Sequence, residues 1–185
     1  MSSNTKDIKD RIESVKKTEK ITLAMKMVAA AKFKRNVTQL DHIKEFGTGI
    51  DSIMASLSKR LYKDDQLSSL LAENKSPQVA IIVISSDRGL CGGFNANLFK
   101  ELNQQIVKNK QVDLYLIGNK AYQLLKNKDV TIAHHRSNFQ SSNNLSEKTA
   151  YIDDIINKFK QGVYSKVYVV YNEFVSALTS NQITK

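Results

Sequence analysis

The segment KKTEKITLAMKMVAAAKFKR, residues 16–35, begins with basic residues, continues with an apolar stretch and ends with basic residues again. At 3.6 residues per turn its apolar side chains cannot all face one partner, and a helix that is apolar on every side is normally surrounded. Seven lysines and arginines against Glu19 give the segment a charge of +6, out of +10 for the chain. This charge favours an acidic partner, which leaves nucleic acid, a lipid surface and an acidic protein open.

The sequence around this segment, residues 5–61, contains no proline and repeats apolar residues at alternating spacings of three and four. This pattern predicts one long helix that carries the seam of a coiled coil. Gly47 and Gly49 each cost about 1 kcal/mol relative to alanine in a helix. The helix therefore either bends near Phe46–Gly49 or tolerates both glycines.

The predicted seam needs a second strand, because exposing a large apolar side chain forfeits roughly 1.5–3 kcal/mol. Residues 62–185 contain no second heptad pattern. We therefore expect the seam to be covered by another molecule or by sequence beyond this chain. Its members are Ile8, Ile12, Val15, Ala29, Phe33, Leu40, Ile43, Ile50, Met54 and Leu57.

The polar segment 62–78 contains the single proline, Pro77, and is interpreted as a linker after a shaft helix over residues 1–61. Residues 79–185 then alternate strand-like and helical patterns, which predicts a small, doubly wound, Rossmann-like α/β domain. Its predicted strands are Val79–Ile84, Val112–Gly118, Val130–His134 and Lys166–Tyr171. Its predicted helices are 96–108, 119–126 and one that begins at a capping box of Asn144 and Glu147 and ends at Gly162.

A single cysteine, Cys91, excludes an internal disulfide framework, and no Cys/His set has the spacing of a zinc site. The charged residues that follow Met1 do not resemble a signal or transit peptide. No apolar run reaches the roughly 18 residues that a membrane span requires. We expect a soluble protein of a reducing compartment, which could still be attached to something that is not soluble.

Ser85–Gly93 follows the first predicted strand, at the position where open α/β sheets usually bind ligands. A small nucleotide-binding enzyme is therefore one alternative function. Its glycines, at 89, 92 and 93, match neither a dinucleotide-binding fingerprint nor a phosphate-binding loop. The second strand is followed by Gly118-Asn119-Lys120 rather than by an acidic residue that would bind a ribose.

The remaining chemical candidates lack partners in the sequence. Asp87 has no second acid, Ser85 and Ser86 lack a nucleophile-elbow motif, and Cys91 has no identifiable base. His42, His134 and His135 form no ligand set and are interpreted as surface residues. We therefore expect no catalytic residue, no cofactor and no metal. A nucleic-acid-binding role for the basic helix is a further alternative, which its extensive apolar surface disfavours.

Two segments together resemble the γ-subunit family of F-type ATP synthases. The first runs from Ile8 through Val15, Thr18–Thr22 and Ala24–Lys32, and the second is SSDRGLCGGFN, residues 85–95. Tyr171–Ala177 is similar to a third family segment. The resemblance implies a non-catalytic rotor subunit of the central stalk, whose partners are the α, β and ε subunits and the membrane c-ring.

The resemblance also implies which residues contact partners. The helix passes the acidic lever loops of the β subunits, and the loop at Arg88–Gly93 lies close to the same levers. The residues expected in these contacts are Lys20, Met25, Lys26, Lys32, Arg35, Arg88 and Cys91.

The family continues with a second shaft helix, whereas this sequence ends at Lys185. We therefore expect that the α/β domain belongs to a truncated product, a fragment or an incomplete sequence. The lack of a transit peptide favours a bacterial origin, with the protein bound peripherally at the cytoplasmic face of the inner membrane.

Overall fold

The structure is a computed structural model that describes residues 2–61, 70, 74–139 and 145–185, with side chains for 4–57, 70, 74–139, 146 and 148–185. The chain divides into two compact units, Met1–Asp65 and Gln66–Lys185. Most of the predicted linker 62–78 lies outside the described residues. Its last residue, Gln78, already belongs to the first strand of the second unit.

The first unit is a single helix, α1, Ser2–Leu61. It continues without a break in its helical assignment through Gly47 and Gly49. Hydroxyl groups near the two glycines bond to carbonyls one turn earlier, Thr48 Oγ1 to Lys44 O at 2.6 Å and Ser52 Oγ to Thr48 O at 2.9 Å. A helix of 60 residues is about 90 Å long at 1.5 Å per residue.

The second unit, called the α/β unit, contains a five-stranded sheet in the order β3-β2-β1-β4-β5. The first four strands in this order are parallel, and β5 pairs antiparallel with β4. The elements in chain order are β1 Gln78–Ile84, α2 Phe94–Lys108, β2 Gln111–Ile117, α3 Asn119–Leu125, β3 Thr131–Arg136, α4 Leu145–Lys160, β4 Lys166–Phe174 and β5 Ser180–Thr184.

Alternate residues of the buried strands enter two separate cores. On one face Ile81 and Val83 pack with Leu98 and Leu102 of α2 and with residues of α3. On the other face Ala80 and Ile82 pack with Tyr151 and Ile155 of α4. Helices therefore cover both faces of the sheet, which confirms the doubly wound α/β fold and the long N-terminal helix.

The differences from prediction lie where the sequence pattern is weakest. The short, polar strand β5 is absent from the prediction, and β4 extends to Phe174 because its last residues pair with β5. Strand β3 extends to Arg136 beside β2, and α2 begins at Phe94 rather than Ala96. Asn144 of the predicted capping box lies outside the described residues.

Candidate functional site

The loop Ser85–Gly93 leaves the sheet at a topological switch point. The loop follows β1 and leads into α2, which lies on one face of the sheet. The strand next to β1 on the other side is β4, and the helix before it, α4, lies on the opposite face. Asn172 near the end of β4 donates a hydrogen bond to the carbonyl of Phe94 at 3.1 Å, which joins the two sides of this crevice. Open α/β sheets bind their ligands in such a crevice.

Ser85 ties this loop to the end of β2. Its backbone N–H and its hydroxyl both donate to the carbonyl of Ile117, at 2.8 and 3.1 Å. The same hydroxyl accepts the N–H of Ala121 at 3.0 Å, so it also caps α3. Gly118 has φ +98°, and a Cβ there would overlap the carbonyl oxygen of Ser85. Only glycine fits this close approach.

Asp87 supports the backbone of the loop through one of its carboxylate oxygens. Its Oδ1 accepts the N–H of Asn119 at 3.1 Å and the N–H of Asn138 at 3.0 Å. Two backbone donors at one carboxylate oxygen fix the loop, the start of α3 and the turn after β3 together. Asp87 thus has a structural explanation that needs no substrate.

Ser86, Asn95 and Cys91 form a second set of contacts inside the loop. The side-chain amide of Asn95 donates to Ser86 Oγ at 2.8 Å and to Cys91 Sγ at 3.0 Å, and its oxygen accepts the N–H of Ser86 at 3.2 Å. Ser86 Oγ also donates to the carbonyl of Arg88 at 2.6 Å. These bonds hold the loop in one shape while its tip remains exposed.

The tip of the loop presents Arg88, Leu90 and Cys91 to solvent. Leu90 is 99% exposed and has φ +61°, a left-handed conformation that is rare for leucine. Of these three, Arg88 and Cys91 are predicted contact residues, and Leu90 lies within the loop Arg88–Gly93 that is expected beside the levers.

The predicted contact residues of α1 are also exposed. Lys20, Met25, Lys26, Lys32 and Arg35 lie within 16 consecutive positions of the helix. At 100° per residue these side chains point in several directions around the helix axis. Of the predicted seam residues, Leu40 is half-buried and the others are exposed. The structure thus groups the expected residues on one helix and one loop.

A polar network that was not predicted from the sequence lies between α4 and the sheet. Tyr115 and Tyr164 are buried with their hydroxyl oxygens 2.9 Å apart, and Tyr164 donates to Asp113 at 2.9 Å. Lys158 donates to Tyr115 at 3.1 Å and to Asp154 at 2.8 Å. The hydrogen bond from Lys158 lowers the pKa of Asp154, and that from Asp154 raises the pKa of Lys158. Burial raises the pKa of Tyr164. We interpret this network as an anchor between α4 and the sheet.

The adjacent histidines of β3 are half-buried rather than on the open surface. His134 stacks on Tyr151 at 5.1 Å between ring centroids, and His135 stacks on Tyr122 at 4.3 Å. They lie on opposite faces of the sheet because side chains alternate along a strand. Burial lowers the pKa of His135, whose Nε2 is buried without a hydrogen-bond partner in the described part of the chain.

Within the residues that the structure describes, no cluster of His, Cys, Asp and Glu side chains has the geometry of a metal site. None of the described helices combines the length and apolarity that a membrane span requires.

Comparison with known proteins gives a consistent result. A family model described as ATP synthase matches residues 4–185. The chain is 37% identical to the ATP synthase gamma chain of Gloeobacter violaceus, over 96% of this chain and 58% of the relative. It is 34% identical to the ATP synthase gamma chain of Synechocystis sp., over 98% of this chain and 59% of the relative. This chain thus spans less than two thirds of the length of these curated relatives.

A solved structure has the same fold. The chain resembles one from the Tetrahymena thermophila mitochondrial ATP synthase central stalk and c-ring, with a TM-score of 0.65 and 26% identity. The match covers 89% of this chain and 70% of that one. Because the family model matches residues 4–185 and the curated relatives are ATP synthase gamma chains, this chain belongs to the ATP synthase gamma-chain family.

Proposed function

We propose that this chain acts as a non-catalytic rotor component in the central stalk of a proton-translocating F-type ATP synthase. It couples rotation of the membrane ring to conformational change at the catalytic β subunits. Family membership supports this role, and so does the design of α1. The proposal assigns residues 1–61 to the shaft, 62–78 to a linker and 79–185 to the α/β foot of the rotor.

One observation carries the proposal: the apolar surface of α1 is exposed along its length. Fifteen large apolar side chains of this helix are between 41% and 71% exposed. Burying a fully exposed side chain of this size contributes about 1.5–3 kcal/mol, so covering the exposed part of each contributes roughly half of that. Residues such as Ile21, Leu23 and Met27 lie off the predicted seam, so one partner helix cannot cover them all. A ring of subunits around the helix accounts for this distribution.

The positive charge of α1 attracts acidic groups of the enclosing ring. Lys20, Lys26, Lys32 and Arg35 are exposed around the helix, together with Met25. We assign these residues to contacts with acidic lever loops of the β subunits, and Arg88 and Cys91 to the same class of contact. Complementary charges across an interface fix its register and speed association. Torque then arises from contact and from charge attraction.

The remaining assignments follow from the same role. The seam residues, from Ile8 to Leu57, pair with a second shaft helix. The α/β unit contacts the ε subunit and the c-ring, and the protein reaches the cytoplasmic face of a bacterial inner membrane only through the complex. Asp87 is occupied by backbone donors, and no specific observation favours the nucleotide-binding or nucleic-acid-binding alternatives.

Reconstitution tests the proposal. Purified α and β subunits are mixed with this chain, and we expect a stable assembly whose ATPase activity depends on its addition. A chain that never co-purifies with α and β, in either order of mixing, would contradict the role. Saturable nucleotide binding by residues 78–185 would instead support an enzyme.

Charge reversal tests the basic segment specifically. We expect Lys26→Glu to weaken assembly or coupling by about tenfold, equivalent to about 1.4 kcal/mol, because it places a negative charge against acidic loops. Lys108→Glu, at an exposed position in the last turn of α2, is the matched control. Equal effects of the two substitutions would show that the charge around α1 has no special role.

A further inference from the structure

The exposed end of the loop after β1, residues 88–91, has a fixed and unusual backbone. We call these four residues the loop tip. Leu90 in the tip has φ +61°, a conformation that a residue with a Cβ rarely adopts. Such a conformation persists only where the surrounding groups determine it. The side-chain hydrogen bonds that reach this tip lead to Asn95.

Asn95 contacts the loop through both halves of its amide. Its Nδ2 donates to Cys91 Sγ at 3.0 Å and to Ser86 Oγ at 2.8 Å. Because Ser86 Oγ accepts this bond, its own hydrogen is available for the carbonyl of Arg88, to which it donates at 2.6 Å. The Oδ1 of Asn95 accepts the backbone N–H of Ser86 at 3.2 Å. One amide therefore fixes the loop tip at both ends, at Arg88 and at Cys91.

Asn95 lies on an element that is itself held in place. It belongs to the first turn of α2, and α2 packs in the core of the α/β unit. The carbonyl of the preceding residue, Phe94, accepts the hydrogen bond from Asn172 of β4. Asn172 is part of the segment Tyr171–Ala177, so two of the segments that resemble the family meet here. The loop tip is thus connected through Asn95 to α2 and to the sheet.

The base of the loop is fixed by other groups. Ser85 bonds to the end of β2 and to α3, and Asp87 bonds to the start of α3 and to the turn after β3. These bonds do not involve Asn95 and remain when that side chain is changed. We therefore expect a substitution at Asn95 to loosen the loop tip and to leave the base of the loop in place.

We propose that Asn95 is a positioning residue of the rotor. It holds the loop tip in the conformation in which Arg88 and Cys91 contact the β subunits, and it acts through Ser86 and Cys91 without touching the partner itself. This inference rests on the proposed function, which assigns Arg88 and Cys91 to those contacts.

Asn95→Asp separates positioning of the tip from stability of the fold. The new carboxylate still accepts the N–H of Ser86, and a negative charge is favourable in the first turn of α2. The urea midpoint of the full chain should therefore stay at or above the native value. The carboxylate has no N–H for Cys91, and the Ser86 hydroxyl turns toward it and away from the carbonyl of Arg88. The loop tip should become mobile.

Backbone order parameters from NMR measure this mobility in the free chain. We expect the loop tip to have values of about 0.85 in the native chain, as in a rigid backbone, and below about 0.6 in Asn95→Asp. Hydrogen exchange of the Ser86 amide gives a second readout. It should stay slow in Asn95→Asp and accelerate in Asn95→Ala, which removes the acceptor as well.

The same variants are then assembled with α and β subunits. We expect the ATPase activity that depends on this chain to fall about fivefold in Asn95→Asp, the effect of losing about one hydrogen bond. Asn95→Ala adds no charge and should lower the activity at least as much. Asn97→Asp, at an exposed position in the same turn of α2, adds the same charge without contacting the tip and should leave the activity unchanged.

The two readouts distinguish failure of this inference from failure of the rotor role. Unchanged order parameters in Asn95→Asp would overturn the inference, and so would native activity of that variant in an assembly that the native chain supports. An equal loss in Asn97→Asp would assign the effect to charge and contradict positioning. If the native chain supports no assembly, the rotor role fails, and the order parameters still decide whether Asn95 holds the tip.

Discussion

The two units of this chain use apolar residues in opposite ways. Every fully buried apolar residue of the described chain lies between Val79 and Val170, in the α/β unit. In α1, large side chains such as Phe46 and Ile43 are 71% and 65% exposed. The α/β unit buries its apolar residues in its own core, whereas α1 leaves its large apolar side chains exposed. The comparison thus separates a unit with its own core from a helix whose exposed surface the proposed role assigns to contacts.

The internal stabilisation of α1 supports this distinction. Thr18 and Thr22 bond to carbonyls four residues earlier, and Glu13 pairs with Lys17 at 2.8 Å. An exposed ion pair of this kind contributes only about 0.3–0.5 kcal/mol. Helices in proteins derive most of their stability from packing of an apolar face. The stability of α1 therefore depends on what surrounds it, while the α/β unit carries its own core.

The largest expected difference in stability comes from comparing one glycine-to-alanine substitution in each unit. Gly118→Ala should destabilise the α/β unit by more than about 4 kcal/mol, because the new Cβ overlaps Ser85 and φ is +98°. Gly49→Ala, with nothing within 4 Å of the new Cβ, should stabilise α1 by up to about 1 kcal/mol. Urea unfolding followed by far-ultraviolet and tyrosine circular dichroism measures both. A small effect of Gly118→Ala would refute the close approach.

A leucine pair tests the division of apolar surface directly. Leu102→Ala, at a fully buried position, should cost about 3 kcal/mol through lost burial and the cavity left behind. Leu23→Ala, at a 53% exposed position of α1, should change the stability of the isolated chain by less than about 0.5 kcal/mol. Thermal unfolding of the free chain measures the difference. Similar costs would mean that Leu23 is buried in solution.

Most of the fold could be predicted because its signals are local. The run VAIIVI and the alternation of strands and helices predict a buried parallel strand and a doubly wound sheet. The three-four spacing in residues 5–61 predicts α1. Strand β5 could not be predicted, because SNQIT has no apolar alternation and its pairing with β4 depends on tertiary contacts.

The candidate site was predictable only in part. Its position after β1 follows from the topology. Arg88 and Cys91 are exposed there, and their role in contacts stays a prediction. The structural role of Asp87 could not be predicted, because one of its hydrogen-bond donors, Asn138, is 51 residues away in the sequence. The stacking of His135 on Tyr122 could not be predicted either, because the two rings belong to separate elements of the fold.

An intermediate effect tests whether Asp87 is structural. Asp87→Ala should destabilise the α/β unit by about 2 kcal/mol, because the N–H groups of Asn119 and Asn138 lose their acceptor. Hydrogen exchange of these two amides should accelerate. Asp87→Asn keeps an acceptor oxygen and should recover most of the loss. Fast exchange in Asp87→Ala without any loss in assembly with α and β would confirm a role confined to the loop.

The smallest effect concerns pH. Burial lowers the pKa of His135, with the charge of Asp87 opposing the shift and that of His134 adding to it. The unfolded chain, with a histidine pKa of about 6.5, therefore binds more protons than the folded chain as the pH falls through this value. Stability should decrease on acidification from about pH 7 to 5.

Substituting His135 isolates this contribution. His135→Phe keeps the aromatic contact with Tyr122 and removes the titration, so the loss of stability on acidification should be smaller than in the native chain. His135→Gln should reduce the pH dependence equally, while loss of the ring stack lowers its stability at every pH. Urea midpoints measured between pH 5 and 7 distinguish the two effects. If both variants keep the native pH dependence, the half-buried ring of His135 does not link proton binding to the folding of the α/β unit.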